Sequence, residues 1–323
     1  MTKSEVPNRA ARRKNSPSPQ LTERDRKVLE FFSTIRFAGT SNLAAVLVPA
    51  VFPTEEKLRR RLRKLAEARF LDRPARRIAR ARLDEYRVLD AEKPRGRPED
   101  VWAIAQSGAD MLKLKGDWNR NNGRLRPSAF QHPLMITRVY STLRLAEAKG
   151  LIKIEQWVGE NGWKGRVRVR GDSLPLVPDA VILVSDNRSD REATIFLETD
   201  NSTEPLRRTT MVQSSFFRKC AAYWQYWTDE IRPRHETMIV LTVAKTAERA
   251  EALRLSARAV DEEGRGLNLF WFADEQAWDA LIPEQFLYQP IWTTAAGEQL
   301  ALFAAGDMTP RHVAEIRQEK GDG

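Results

Sequence analysis

Cysteine is nearly absent from this chain: Cys220 is the only one in 323 residues. A single cysteine cannot close an internal disulfide, and without Cys/His pairs at ligand spacing a zinc finger is excluded as well. A reducing cytoplasm suits such a sequence. Histidine is scarce too, at three residues. His132 is expected to open a helix, His235 to precede a strand and His312 to lie in a tail, so no Ser/His/Asp arrangement is foreseen. Long apolar runs are also missing. The best candidate, residues 42–52, is too short to span a bilayer, and the N-terminus MTKSEVPNRAARRKNSPSPQ offers no apolar stretch for a signal peptide. No membrane association is expected. A phosphate-cradling glycine loop and a dinucleotide fingerprint are lacking, which leaves ATP hydrolysis and hydride transfer without support.

What the chain has in excess is positive charge. Its net charge is +10, and residues 1–82 alone carry 21 Lys and Arg against 8 Asp and Glu, more than the whole surplus. Such a balance points to a polyanionic partner, with double-stranded DNA the first expectation, and confines the basic character to one end. With 41% apolar side chains and nine Trp, the chain can bury a sizeable core and is expected to form about two domains.

Residues 1–20, rich in Ser, Pro, Lys and Arg, read as a flexible basic arm. Folding is expected from Thr22, which with Asp25 three residues later forms a capping-box pattern before Val28, Leu29, Phe32 and Ile35 at helical spacing. Gly39 ends that helix, Thr40 or Ser41 starts a second through Leu47, and Pro53-Thr54 precede a third to about Ala68. The third helix is two-faced. Leu58, Leu62 and Leu65 form an apolar stripe, while Lys57, Arg60, Arg61 and Lys64 fall opposite it. An extended segment from Phe70-Leu71, an excursion containing Arg76, Arg77, Arg80 and Arg82, and a strand at Val101–Ile104 complete a predicted winged helix-turn-helix over residues 21–116. In it the third helix would enter the major groove while wing and arm contact phosphates.

A Gly-, Asn- and Arg-rich stretch marks a linker at 117–131. Beyond it, a helix over 134–149, strands at 151–158, 179–184 and 193–200, a helix over 204–227 with Thr203 as its cap, a strand at 236–243, a helix over 246–259 and a strand at 267–272 predict an αβββαβαβ order. The predicted fold class is thus α+β at the front and α/β behind, the second domain running over 132–290 and a C-terminal tail over 291–323. Asp179 opens one apolar run and Glu198 and Asp200 close the next. On a strand, residues i and i+2 share a face, so Glu198 and Asp200 project together and Asp179 can meet them from the neighbouring strand. Three converging carboxylates would repel one another unless a hard cation such as Mg²⁺ or Mn²⁺ neutralised them, and a metal-bound water would then be a nucleophile suited to phosphodiesters.

This order and these carboxylates resemble the PD-(D/E)xK nuclease superfamily, where Pro-Asp begins one core strand and Glu-x-Lys ends the next. Asp200 stands where that superfamily carries its catalytic lysine. In some relatives the following helix carries a Gln-x-x-x-Tyr motif, to which Lys219-Cys-Ala-Ala-Tyr223 is similar, so the resemblance makes Asp179, Glu198, Asp200, Lys219 and Tyr223 the catalytic candidates. The winged helix, His132-Pro-Leu134, Pro178-Asp179, Glu198-Thr199-Asp200 with Thr203, and Lys219 to Tyr223 together resemble the replication-relaxation family over about residues 20–290. That resemblance implies a DNA-binding accessory of plasmid or mobile-element replication or mobilisation, with a relaxase or replication protein as partner. Two alternatives stand beside it: an active metal-dependent endonuclease or nickase, and a transcriptional regulator using the winged helix alone.

Overall fold

A computed structural model describes residues 20–74, 100–114, 128–159, 162–202, 204–209, 213–234, 237–260 and 266–303. Arg76, Arg77, Arg80 and Arg82 of the expected wing lie outside these residues, as do the arm, Thr203, His235 and His312.

The first helix, α1 (Glu23–Thr34), starts where the capping pattern places it. The Asp25 carboxylate accepts from the Thr22 backbone N–H and hydroxyl, both at 2.7 Å. A short strand β1 (Ala38–Gly39) leads into α2 (Thr40–Leu47), and α3 (Glu55–Glu67) follows, its first turn closed by the Thr54 hydroxyl accepting from Lys57 N–H. Leu58, Leu62 and Leu65 on α3 are fully buried. Strands β2 (Leu71–Asp72) and β3 (Val101–Ile104) complete a three-stranded sheet in the order β1-β3-β2, and α4 (Gln106–Met111) ends the segment.

The long helix α5 (Ser128–Ala148) opens the second half. Then come β4 (Ile152–Val158), the hairpin β5 (Gly165–Val169) and β6 (Asp172–Leu176), β7 (Ala180–Asp186) and β8 (Arg191–Asp200). Helix α6 (Phe216–Tyr226), β9 (Ile239–Ala244), α7 (Ala247–Arg258), β10 (Phe270–Asp274), α8 (Pro283–Tyr288), β11 (Trp292–Thr294) and β12 (Gln299–Leu300) follow. Seven strands form one mixed sheet, ordered β12-β11-β10-β9-β8-β7-β4, in which β8, β9 and β10 are parallel neighbours. Its αβββαβαβ succession is the one expected.

Several boundaries differ from expectation: α1 stops at Thr34, ahead of Gly39, which lies in β1, and α5 begins at Ser128, within the stretch expected as linker. Helix α6 begins at Phe216, capped by the Ser215 hydroxyl, and not at Glu204, because residues 204–209 run as an irregular segment before it. The expected tail from 291 supplies β11 and β12, and Trp292 is fully buried. A strand of three residues carries too little periodicity to be recognised alone.

The sheet separates two apolar clusters. On one face, Met135, Val139 and Leu143 of α5 pack against Ile182, Ile195, Leu197 and Leu241, and the same cluster continues into Leu29, Phe31 and Leu62 of the front helices. On the other, α6, α7 and the β5–β6 hairpin cover Val181, Phe196, Val240 and Phe272. The front module is seated on α5: Phe31 meets Tyr140 edge-on at 5.3 Å, and the Thr137 hydroxyl donates to the Phe37 carbonyl at 2.6 Å.

Candidate carboxylate centre

The antiparallel register of β7 and β8 pairs Ala180 with Leu197, which sets Asp179, one residue before β7, beside Glu198 at the end of β8. Two of the three expected carboxylates are therefore neighbours, both almost fully buried. Each is satisfied by different partners.

Asp179 turns toward α5. Its Oδ2 accepts from the Thr199 N–H at 2.7 Å and from the Thr199 hydroxyl at 3.0 Å, and its Oδ1 lies 3.0 Å from His132 Nε2. The other ring nitrogen, Nδ1, is 3.0 Å from the same Thr199 hydroxyl. That hydroxyl has a single proton, so it bonds both Asp179 and the ring only when Nδ1 is protonated and donates to it; with Nε2–H on the Asp179 carboxylate as well, the three side chains close a ring of hydrogen bonds in the doubly protonated state of the imidazole. Burial by itself would raise the Asp179 pKa, but the bond and charge of His132, with Lys219 and the Thr199 N–H, outweigh it and hold the carboxyl below its usual range.

Glu198 turns toward α6. Tyr223 donates its hydroxyl to Oε1 at 2.6 Å and Lys219 Nζ lies 3.1 Å from Oε2. These two side chains are one helical turn apart on α6, and both reach the same carboxylate. Burial is the main influence on Glu198. With repulsion from Asp179 it exceeds the help of Lys219 and Tyr223, and the pKa rises to about 7. The Lys219 pKa is raised too: burial would lower it, but Glu198, Glu204 and Asp179 together push it up. Directly across from Glu198 on β9 stands Thr242, fully buried, whose hydroxyl has no hydrogen-bond partner among the described residues.

Asp200 does not join the other two. It shares the Glu198 face of β8, as the strand period requires, but Arg249 in the first turn of α7 claims both its oxygens, Nε to Oδ1 at 2.8 Å and Nη2 to Oδ2 at 2.9 Å. The Ser202 N–H adds a further bond to Oδ1. Arg249 also bonds the Glu204 carbonyl, and the Glu204 carboxylate meets Lys219 at 3.1 Å, so the segment after β8 is tied down by both cations. The expected triad is thus an Asp179–Glu198 pair plus a separate Asp200–Arg249 pair.

Every oxygen of the three carboxylates has a hydrogen-bond donor beside it; Lys219 and Arg249 bring positive charge, and His132 adds to it when its ring is protonated. Among the described residues no group of three or more His, Cys, Asp and Glu side chains is placed to hold a metal ion. In this arrangement the donor set does not fit the Mg²⁺ or Mn²⁺ foreseen from sequence, because a hard cation would need carboxylate oxygens that neighbouring cations already occupy.

Of the cations expected on α3, Lys57, Arg60 and Lys64 are exposed, as is Arg63. Arg61 is a correction. It turns inward and grips Asp25, which is fully buried, through Nε at 2.5 Å. Its position borders the leucine stripe, and a buried carboxylate on α1 attracts it more strongly than water does.

His132, Arg249, Glu204 and Thr199 are members of the centre that sequence reasoning misses. Thr199 stands in plain view between two acids that spacing singles out. His132 forms part of a recognisable His-Pro-Leu, yet by sequence it reads as structural or exposed. Arg249 and Glu204 leave no local signal, since only the β8–β9 parallel register brings the start of α7 to Asp200.

These elements define a mixed α/β protein, with front helices and a small sheet seated on a seven-stranded sheet that carries a charge-compensated carboxylate centre. The chain belongs to the replication-relaxation family, whose model matches residues 29–242. That span takes in α2, α3, α5, Asp179, Glu198, Asp200, Lys219 and Tyr223. Membership suggests a role associated with plasmid replication. No curated protein and no solved structure matches the chain. No helix among the described residues is long and apolar enough to cross a membrane.

Proposed function

We propose that this protein is a DNA-binding accessory of plasmid or mobile-element replication or mobilisation, acting with a relaxase or replication protein. The front module works as a winged helix-turn-helix on double-stranded DNA, and the rear unit is a PD-(D/E)xK-like domain whose carboxylates serve architecture. The observation that carries this reading is α3. It buries three leucines and presents Lys57, Arg60, Arg63 and Lys64 to solvent, while the one cation needed for packing, Arg61, is withdrawn. An exposed cationic helix face attached to a rigid scaffold is the form a groove-binding helix takes.

Reversal of Lys57, Arg60 and Lys64 to Glu is expected to abolish binding to duplex DNA at moderate salt, with the wild type showing steep salt dependence. Equal affinity of the reversed and wild-type chains would remove α3 as the DNA-contacting element.

A second reading, a phosphodiester-cleaving nickase, is favoured by Glu198. A buried carboxyl poised near neutral pH beside a lysine and a tyrosine has the character of a proton-transfer group. Supercoiled plasmid incubated with the protein and Mg²⁺ or Mn²⁺ decides between the two. Nicking that disappears in both Asp179→Ala and Glu198→Ala establishes the enzyme, whereas intact binding without nicking is the outcome expected for the accessory.

A further inference from the structure

The β5–β6 hairpin holds a second basic surface. Lys164, Arg166, Arg168 and Arg170 alternate along and beyond β5, and all four are exposed, while Val167 and Val169 between them are buried. On the partner strand the exposed residues Ser173 and Pro175 lie opposite Arg168 and Arg166, while Asp172, an exposed acid of β6, stands opposite the inward-facing Val169 at the turn end. Among the described residues none of the four cations pairs with a carboxylate; Arg166 Nε bonds only the Ser173 hydroxyl, at 3.1 Å. This row stands out because beyond residue 82 the chain has fewer basic than acidic residues, 33 against 36.

The hairpin is held firmly. Val167, Val169, Leu174 and Leu176 belong to the core beneath α6, and Trp163, just before β5, meets Phe196 of β8 edge-on at 5.2 Å. Its two-residue turn, Arg170-Gly171, has positive φ at both positions, +50° and +93°, the form that a tight hairpin prefers. Arginine is an unusual choice there, where Asn or Gly adopts the conformation at less cost, and it sets a fourth charge at the tip. Outward positions on a strand repeat about every 6.6 Å, so the four cations span about 20 Å, more than half of a duplex turn of about 34 Å. From β6 the chain passes through Val177 and Pro178 straight into Asp179, and the buried residues of the hairpin share one apolar cluster with Phe196 of β8 and Tyr223 of α6.

We infer that the outward face of this hairpin is a second nucleic-acid contact, which binds the phosphate backbone and extends the DNA path from the front module towards the Asp179–Glu198 edge. The inference rests on the reading of the protein as DNA-binding, and only the sugar-phosphate chain is recognised, since alternating arginines on a strand meet charge and not base edges.

The test measures affinity of the full chain for a labelled duplex and a labelled single strand across a salt series, for wild type and for Arg166→Gln/Arg168→Gln/Arg170→Asn. The triple variant leaves every buried hairpin residue in place and gives the turn a residue that favours its backbone. The expected result is binding at least tenfold weaker at low salt, with the log–log salt slope on duplex shallower by about two to three, near 0.9 for each phosphate no longer neutralised. An unchanged slope in a variant that melts like the wild type overturns the inference while leaving the α3 reading intact; absence of DNA binding by the wild type overturns both. Should the triple variant misfold, Arg168→Glu alone, at an exposed mid-strand position, gives the same readout. A parallel arm with phosphatidylserine vesicles covers the other polyanion: vesicle binding that depends on the three arginines, with DNA binding untouched, also overturns it.

Discussion

Glu198 and Asp179 show how two adjacent carboxyls acquire opposite character from their further neighbours. Asp179 has a backbone N–H, a hydroxyl and an imidazole; Glu198 has one phenol and one ammonium, and the side chain of that lysine is 37% exposed. The pKa of Asp179 therefore falls and that of Glu198 climbs to about 7. A carboxyl whose folded pKa lies above its unfolded value binds its proton more tightly in the native state. Its contribution to stability is fully present below about 4.5 and is lost as pH rises through about 7. Glu198→Gln should remove that loss. Denaturant unfolding at pH 5 and pH 7.5 is expected to show the wild type losing ground to the variant by about 2 kcal/mol. Parallel pH profiles for the two proteins would show that Glu198 does not titrate in this window.

At the scale of elements, the Asp25–Arg61 pair fastens α1 to α3. Burial works against the Asp25 charge, but the Arg61 and Thr22 bonds win and lower its pKa, so the pair stabilises the fold above the ordinary aspartate range and weakens as pH falls below it. Removing one partner leaves the other uncompensated. Arg61→Ala is expected to destabilise the front module by about 3 kcal/mol, because it strands the fully buried Asp25 carboxylate, and Asp25→Ala by less, because the Arg61 guanidinium left behind is 22% exposed and can reach water. Melting temperatures of the two variants check the order. Arg61→Ala should also weaken DNA binding only in step with lost folding, which separates it from Lys57, Arg60 and Lys64. The helix α3 itself is legible in the sequence, because leucines at 58, 62 and 65 and the Thr54 cap are local signals. The inward turn of Arg61 is not, since its cause sits 36 residues away on another helix.

For the molecule as a whole, one apolar cluster runs from the front helices through α5 to the sheet. Within it Tyr140 of α5 lies between Phe31 of α1 and Trp157 of β4, with edge-on contacts at 5.3 and 4.8 Å. His132, which holds Asp179, lies about one turn before Thr137, which holds the front module, on that same helix. The cationic face of α3 and the carboxylate centre thus rest on one continuous apolar cluster.

The sequence by itself determined the surplus of charge at the front, the capped helices, the αβββαβαβ succession and the positions of Asp179, Glu198, Lys219 and Tyr223, because each rests on local periodicity or on spacing along one helix or strand. Tertiary structure alone decided which carboxylates meet. The β7–β8 register set Asp179 beside Glu198, while the β8–β9 register delivered Arg249 to Asp200 from 49 residues away. Burial makes these pairings matter, since a carboxylate withdrawn from water must find a cation or keep its proton, and only the packed sheet and its helices determine which of the two is at hand.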